Sequence, residues 1–161
     1  MKDNRKETKT NAMRILESLG IQYQIHHYEW SEDHLDAIHA ASAGGLDLEK
    51  TFKTIVMVNE DKKLFVFCLP AEFDISLKKA RVITGSKSID LINTTELQKH
   101  TGYIRGGCSP LGMIRHYPTY ISELAELEDT IFVSAGERGR MIEIAPEDLR
   151  TAADAEFADF I

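Results

Sequence analysis

Apolar positions recur along this chain with two different periods. Met13, Leu16 and Leu19 are spaced by three, with Ile15 beside them, behind Thr10 and ahead of Gly20. That spacing predicts a helix over 10–19 with Thr10 as its cap. Ile21, Tyr23 and Ile25 then alternate with polar residues, which predicts a strand over 21–28. Leu35, Ile38 and Ala41 share one helical face ahead of Gly44-Gly45, so a short helix is expected over 34–45, and 47–50 reads as a further turn. Phe52 to Val58 and Leu64 to Leu69 are two β-rich runs joined by Glu60-Asp61-Lys62. They form the clearest hairpin, and their near-continuous apolar character places them in a sheet covered on both faces.

The second half is more broken. Ser76 is placed to cap a helix to about Val82, 89–91 reads as a brief strand, and Thr94 or Thr95 starts a helix to about His100 that Gly102 closes. Strands are expected over 119–121, 131–133 and 140–144, with a helical or turn-like segment at 123–127 and a glycine turn at 134–139. Pro146 suits the first turn of a closing helix, with Glu147 and Asp148 at its positive end. Residues 1–9 are polar and charged and read as a frayed lead-in. The central pair is a hairpin rather than a βαβ unit. The fold class expected is therefore mixed α/β, a curled, barrel-like mixed β-sheet flanked by helices, in one domain over 1–161.

One stretch fits neither period. Residues 101–112 hold four of the chain's ten glycines and one of its four prolines. Gly106-Gly107 can aim consecutive backbone N–H groups at an anion or a carbonyl oxygen. Lys53 stands between Phe52 and Ile55, a cation at the head of an apolar strand, and either snorkels to solvent or reaches into a cleft. His26 and His27 point to opposite faces of one strand, so they cannot share a metal, although either can serve as a base. Tyr28 offers a ring or a hydroxyl. Cys108 has no local base to activate it, and Arg138 in the second glycine turn is a candidate anion contact.

Composition narrows the classes. With 43% hydrophobic and 28% charged residues among 161, the chain is of ordinary globular composition, and no apolar run reaches the length of a membrane span. Two cysteines without zinc spacing exclude a disulfide scaffold and fit a reducing cytoplasm. No metal, phosphate-loop or dinucleotide motif is present, and no cofactor is expected. A net charge of −7 argues against broad, sequence-blind nucleic-acid binding, DNA included, but leaves room for a local basic patch that holds one RNA end.

The ordered set Phe52-Lys53-Thr54, Thr101-Gly102-Tyr103, 106–112, 130–134 and 144–149 resembles the YbaK/EbsC-type proteins. These belong to the aminoacyl-tRNA deacylase superfamily related to the editing domain of bacterial prolyl-tRNA synthetase. The opening 9–14 resembles them too. The resemblance implies removal of cysteine from mischarged tRNA-Pro, acting on the aminoacylated 3′ end, with prolyl-tRNA synthetase a candidate partner. It implies that Lys53 is the essential basic residue near the terminal adenosine and that the Gly106-Gly107 backbone holds the aminoacyl carbonyl. Tyr28, Cys108, Ser109, Pro110 and Arg138 complete the expected substrate site. It further implies that the substrate's own thiol attacks the ester, so that no protein nucleophile is needed. Two positions depart from the family pattern: Cys108 where an aliphatic residue is usual, and Met141 where some members carry an aspartate. A catalytically silent tRNA-end module, a deacylase for another small amino acid such as alanine, and an unrelated small-molecule hydrolase are the alternatives.

Overall fold

The computed structural model describes residues 8–161. The lead-in expected over 1–9 lies, for residues 1–7, outside the described residues. Thr8 and Lys9 are tied down: the Thr8 carbonyl accepts from Arg140 Nη2 at 2.7 Å, and Lys9 Nζ sits 2.9 Å from Glu17.

Helix α1 (Asn11–Ser18) starts where Thr10 accepts from the Met13 amide and buries Ala12, Met13 and Leu16. Strand β1 (Gln24–His27) is shorter than the alternation suggested. Helix α2 (Ala37–Gly44) is capped by Asp36 and ends in left-handed Gly45. It starts later than the apolar spacing implied because Asp36 supplies the carboxylate that accepts the His39 amide. A 3-10 turn at Leu48–Lys50 leads into the hairpin of β2 (Phe52–Asn59) and β3 (Leu64–Pro70). Their register pairs Val56 with Val66 and Val58 with Leu64. Then follow α3 (Leu77–Thr84), β4 (Ile89–Leu91) and α4 (Thr94–Thr101), the last capped by Asn93 rather than by a threonine. After the glycine loop come β5 (Thr119–Ser122), a 3-10 segment at Glu123–Leu127, β6 (Ile131–Ser134), β7 (Arg140–Ile144), α5 (Pro146–Ala153) and β8 (Glu156–Ala158).

The strands form two sheets. A three-stranded antiparallel sheet has the order β1-β7-β6, and a five-stranded mixed sheet the order β4-β2-β3-β5-β8. The mixed α/β class holds, but the sheets do not close into a barrel. Each ends in its own edge strands, and the link between them is one isolated parallel bridge, Thr51 to Phe132. Thr51 is buried, its amide donates to Leu48, and its carbonyl accepts from Ala71, one step beyond the Phe52–Pro70 pair of the β2–β3 hairpin.

All seven residues of β3 are buried, as a doubly covered central strand requires. One face of the large sheet packs Met57, Phe67 and Leu69 against α3 and the C-terminal Phe160. Fully burying a side chain such as Phe160 contributes about 1.5–3 kcal/mol, enough to hold the chain end and with it the short edge strand β8. The opposite face carries Val56, Leu64 and Val66 under Leu97 of α4, with Cys108, Met113 and Tyr117 against them. The third cluster joins α1, β6, β7 and α5 through Leu16, Ile131, Ile142 and Leu149.

Candidate active site

A cleft of about 390 Å³ opens where β2 is not covered by β4. Pairing of β2 with β4 stops at Met57, with one further bond from the Ile92 amide to the Val56 carbonyl. Main-chain groups alternate sides along a strand, so Thr54, two residues earlier, turns its amide and carbonyl to the same uncovered edge. The walls are largely apolar, from Leu97, Met141 and their neighbours. The polar groups that interrupt them are Tyr28, Lys53, Thr54, Thr94, Arg105, Ser134 and Asp36, the last bonded to His39 at the start of α2, together with the backbone at Gly106 and Cys108. Apolar walls with a few convergent polar groups are the usual form of a small-ligand site.

Lys53 is a quarter exposed, and its amine is 3.9 Å from Asp74, whose carboxylate is fully open to water. A contact this long and this wet contributes little. The amine is therefore available to an anion. Thr54 Oγ1 is buried and makes no hydrogen bond of ordinary geometry; the Cys68 thiol, its partner in register, is the polar group beside it. A buried hydroxyl without a partner is costly, and on the wall of a cleft it is a group that a ligand can satisfy.

The glycine loop is clasped from behind. Tyr103 donates its hydroxyl to the Leu111 carbonyl at 2.5 Å, and its ring lies against Gly136. Gly112, at φ +80, leaves no room for a side chain between Tyr103 and the start of α1. Within this clasp the two adjacent glycines do different things. Gly106, at φ +85, lines the cleft against Leu35. Gly107 is buried outside the cleft, donates its amide to the Ile104 carbonyl at 2.9 Å, and abuts the backbone of Glu137 and Arg138. The amides of Gly106 and Cys108 donate to no protein acceptor among the described residues. Burial pushes the Cys108 thiol up to about 12, so it is a neutral side chain at neutral pH and not a thiolate.

The structure thus brings together Tyr28, Lys53, Gly106 and Cys108. The other expected site residues lie elsewhere. Gly107 serves the turn and the packing. Ser109 is fully buried and accepts from the Leu111 amide. Pro110 lines a different hollow, with Ile15 and Ala152. Arg138 donates to the Arg105 carbonyl at 2.9 Å and stacks its guanidinium over Trp30, so it braces the loop from outside. Its charge made it look like a ligand contact, whereas its geometry is that of a strut. His26 is also outside the cleft, bonded to Glu143 at 2.8 Å and edge-on to Phe132. His27 is exposed at the end of β1.

Two residues escaped the sequence reading. Thr54 sits in the apolar face of a strand, where a threonine is an ordinary β-former. Arg105 is an exposed loop cation, and only its neighbours Ile104 and Gly106 hinted at its position.

A wider hollow of about 710 Å³ lies on another side, lined by Glu17, Tyr23, Thr130, Glu143 and Asp148. It shares no residue with the cleft. Its carboxylates are unsuited to an RNA end, and Glu143 is held below its ordinary range by hydrogen bonds from Thr130 and His26. No three His, Cys, Asp or Glu side chains among the described residues are grouped to hold a metal. No described helix is long and apolar enough to cross a membrane.

Comparison with known proteins agrees with this geometry. The family model for the aminoacyl-tRNA editing domain matches residues 32–152, which include every residue of the cleft except Tyr28. The "Putative Cys-tRNA(Pro)/Cys-tRNA(Cys) deacylase EbsC" of Enterococcus faecalis is 39% identical over 159 residues, covering 99% of this chain and 97% of that protein. Among solved structures, the hypothetical protein APE2540 superposes with a TM-score of 0.84 at 16% identity, over 94% of this chain and 99% of that one. A structure described as a "putative trans-editing enzyme for prolyl tRNA synthetase" superposes with a TM-score of 0.77 at 21% identity, over 96% and 98%. At those identities the two structures speak for the fold, and the family match and the Enterococcus relative speak for the chemistry. The chain belongs to the aminoacyl-tRNA editing domain family and is an aminoacyl-tRNA deacylase.

Proposed function

We propose that this protein is a trans-editing enzyme that removes cysteine from Cys-tRNA(Pro), with the substrate's own thiol as the nucleophile. The observation behind this reading is the content of the cleft. It offers two cations, free loop amides and a buried hydroxyl with no hydrogen bond of ordinary geometry, while its one thiol is pushed up to about 12 by burial. Such a site can bind, orient and polarise, but it does not supply an activated nucleophile.

In this reading Lys53 and Arg105 hold the terminal phosphates, and Tyr28 lies against the terminal nucleoside. The aminoacyl carbonyl oxygen points to the amides of Gly106 and Cys108, with Gly107 holding the turn behind them. The cysteine thiol, with an ordinary pKa of ~8.5, is a few per cent thiolate at neutral pH. Its sulfur bonds to its own carbonyl carbon, the ester C–O bond breaks, the ribose hydroxyl leaves with a proton, and a thiolactone departs. An oriented intramolecular attack of this kind can remove about 7–11 kcal/mol of barrier, and one oxyanion donor adds about 2.7–4 kcal/mol. Prolyl-tRNA synthetase is the proposed supplier of the mischarged tRNA, in the cytoplasm.

The test is a deacylation panel of Cys-, Ala-, Ser- and Pro-charged tRNA-Pro together with S-methylated Cys-tRNA-Pro. Fast cleavage of the Cys ester alone is expected. Equal rates for the cysteine ester and its S-methylated form would make water the nucleophile and end the thiol mechanism. Preferential cleavage of the Ala ester would move the assignment to alanine.

A further inference from the structure

Another hollow, of about 370 Å³, lies beyond the far end of α4 from the cleft; Leu64, Phe65 and Pro118 give it an apolar floor, and Lys62, Lys63, His100, Arg115 and Tyr117 also line it. No acidic residue lines it. Lys62, Lys63 and Arg115 make no side-chain ion pair among the described residues. In a chain of net charge −7, three unpaired cations around one groove are a marked departure from the average surface.

The groove is held in shape. The hairpin tip is fixed by Asn59, whose side chain accepts from the amides of Asp61 and Lys63. Lys62 there adopts a left-handed conformation at φ 61. Tyr117 donates to the His100 carbonyl at 2.7 Å, tying the loop before β5 to the end of α4. The nearby acids do not line the groove. Glu60 accepts from the amides of Lys87 and Ser88, Glu96 pairs with His100 and reaches Lys99, and Asp61 is exposed at the hairpin tip.

The position relative to the cleft gives the groove its meaning. Both border the same hydrophobic cluster on one face of the β2–β3 pair: Val56, Leu97 and Cys108 at the cleft end, Leu64 and Tyr117 at the groove end. Lys53 and Asn59 are six residues apart on β2, about 20 Å at ~3.3 Å per residue. A single RNA strand covers that distance in a few nucleotides. We propose that this groove binds the phosphodiester backbone of the tRNA acceptor stem while the 3′ end occupies the cleft. The inference rests on the deacylase reading for what fills the cleft. The groove supplies affinity without sequence readout, since lysine and arginine on phosphates position a nucleic acid but do not read its bases.

The experiment compares wild type with the combined variant Lys62→Ala, Lys63→Ala, Arg115→Ala. An uncharged acceptor-stem RNA hairpin is titrated at low and moderate salt, and two substrates are deacylated: a charged hairpin and a short aminoacylated CCA trinucleotide. Three phosphate contacts account for about 40-fold of the affinity lost between about 50 and about 200 mM salt, from a slope of roughly 0.9 per contact. The variant should lose that part of the salt dependence and show a raised KM on the hairpin, with kcat and trinucleotide cleavage unchanged. Equal loss on both substrates would mean that the three side chains act on the fold or the cleft, and the proposal falls. No change on either would also refute it, while leaving the deacylase reading intact. If wild type cleaves neither substrate yet binds the hairpin with the steep slope that the variant lacks, the deacylase reading fails and the groove stands.

Discussion

The Gly107 amide donates to the Ile104 carbonyl at 2.9 Å, and its α-carbon rests against the backbone of Glu137 and Arg138. A methyl group there would lie 3.0 Å from two Glu137 main-chain atoms, which cannot swing aside. Gly107→Ala should therefore destabilise the protein by about 1–3 kcal/mol, as overpacking does. For a chain of this size that is a fall in Tm of about 2–12 °C. Gly106→Ala meets the softer Leu35 side chain at φ +85 and should cost about 1–2 kcal/mol from backbone strain. Because Gly106 lines the cleft, its variant should lose more activity for each degree of Tm lost. Thermal unfolding and kcat/KM measured on both variants check the division of labour; a Gly107 variant with unchanged Tm would contradict it.

Lys53→Ala should separate activity from stability in the opposite sense. The contact with Asp74 is 3.9 Å long and solvent-screened, so its loss should leave Tm within a degree or two. The deacylation rate should fall by about 10²–10³-fold, the scale of losing one electrostatic contact in an active site. A variant that keeps wild-type kcat/KM would remove Lys53 from the site.

Cys108→Ala should retain most of the activity, since a thiol whose pKa is about 12 does not attack an ester at neutral pH. The same shift predicts an alkaline effect. Burial raises Cys68, Cys108 and Tyr103 to about 12 from ordinary values of 9 and 10. Between the unfolded and folded values the native state keeps protons that the unfolded chain has lost, so stability falls as pH rises above about 9. Cys108→Ala should flatten that decline. An unchanged slope of stability between pH 9 and 11 would show that the thiol is more open to water than the cleft geometry allows.

Much of the fold was written in local signals. Thr10 and Ser76 caps, left-handed Gly45 and Gly102, and the all-buried β3 run lie where pattern and cap chemistry put them. Closure of the sheet was not legible, because the two sheets meet only at the Thr51–Phe132 bridge, and whether a bridge between strands so distant in sequence continues into a ladder is set by how the sheets pack and not by any local pattern. Strand β8 was missed because Glu156–Ala158 is three residues long and is held by the burial of Phe160 beyond it. At the site, residue type was a fair guide and direction was not. Gly106 and Gly107 are alike in sequence, yet left-handed φ turns one to the cleft and leaves the other in the packing. Arg138 and Arg105 are both loop cations, and a single hydrogen bond makes the first a brace for the second.

Thr54 offers the sharpest test of how the cleft is built. Its hydroxyl is buried on the cleft wall, makes no hydrogen bond of ordinary geometry, and has the fully buried Cys68 thiol as its polar neighbour. Leaving such a group unsatisfied costs about 1–3 kcal/mol, a penalty that selection for stability alone would remove. Thr54→Val keeps the β-branched shape and deletes the orphaned hydroxyl, so the variant should be as stable as wild type or more so, with Tm raised by up to a few degrees. If the hydroxyl meets the substrate, the same change should lower kcat/KM by about tenfold, the loss of one hydrogen bond. Raised or equal Tm with reduced turnover would identify Thr54 as a substrate contact whose cost is borne by the empty site. Lowered Tm would mean that the hydroxyl is satisfied within the fold, by the Cys68 thiol, and wild-type turnover would remove it from the reaction altogether.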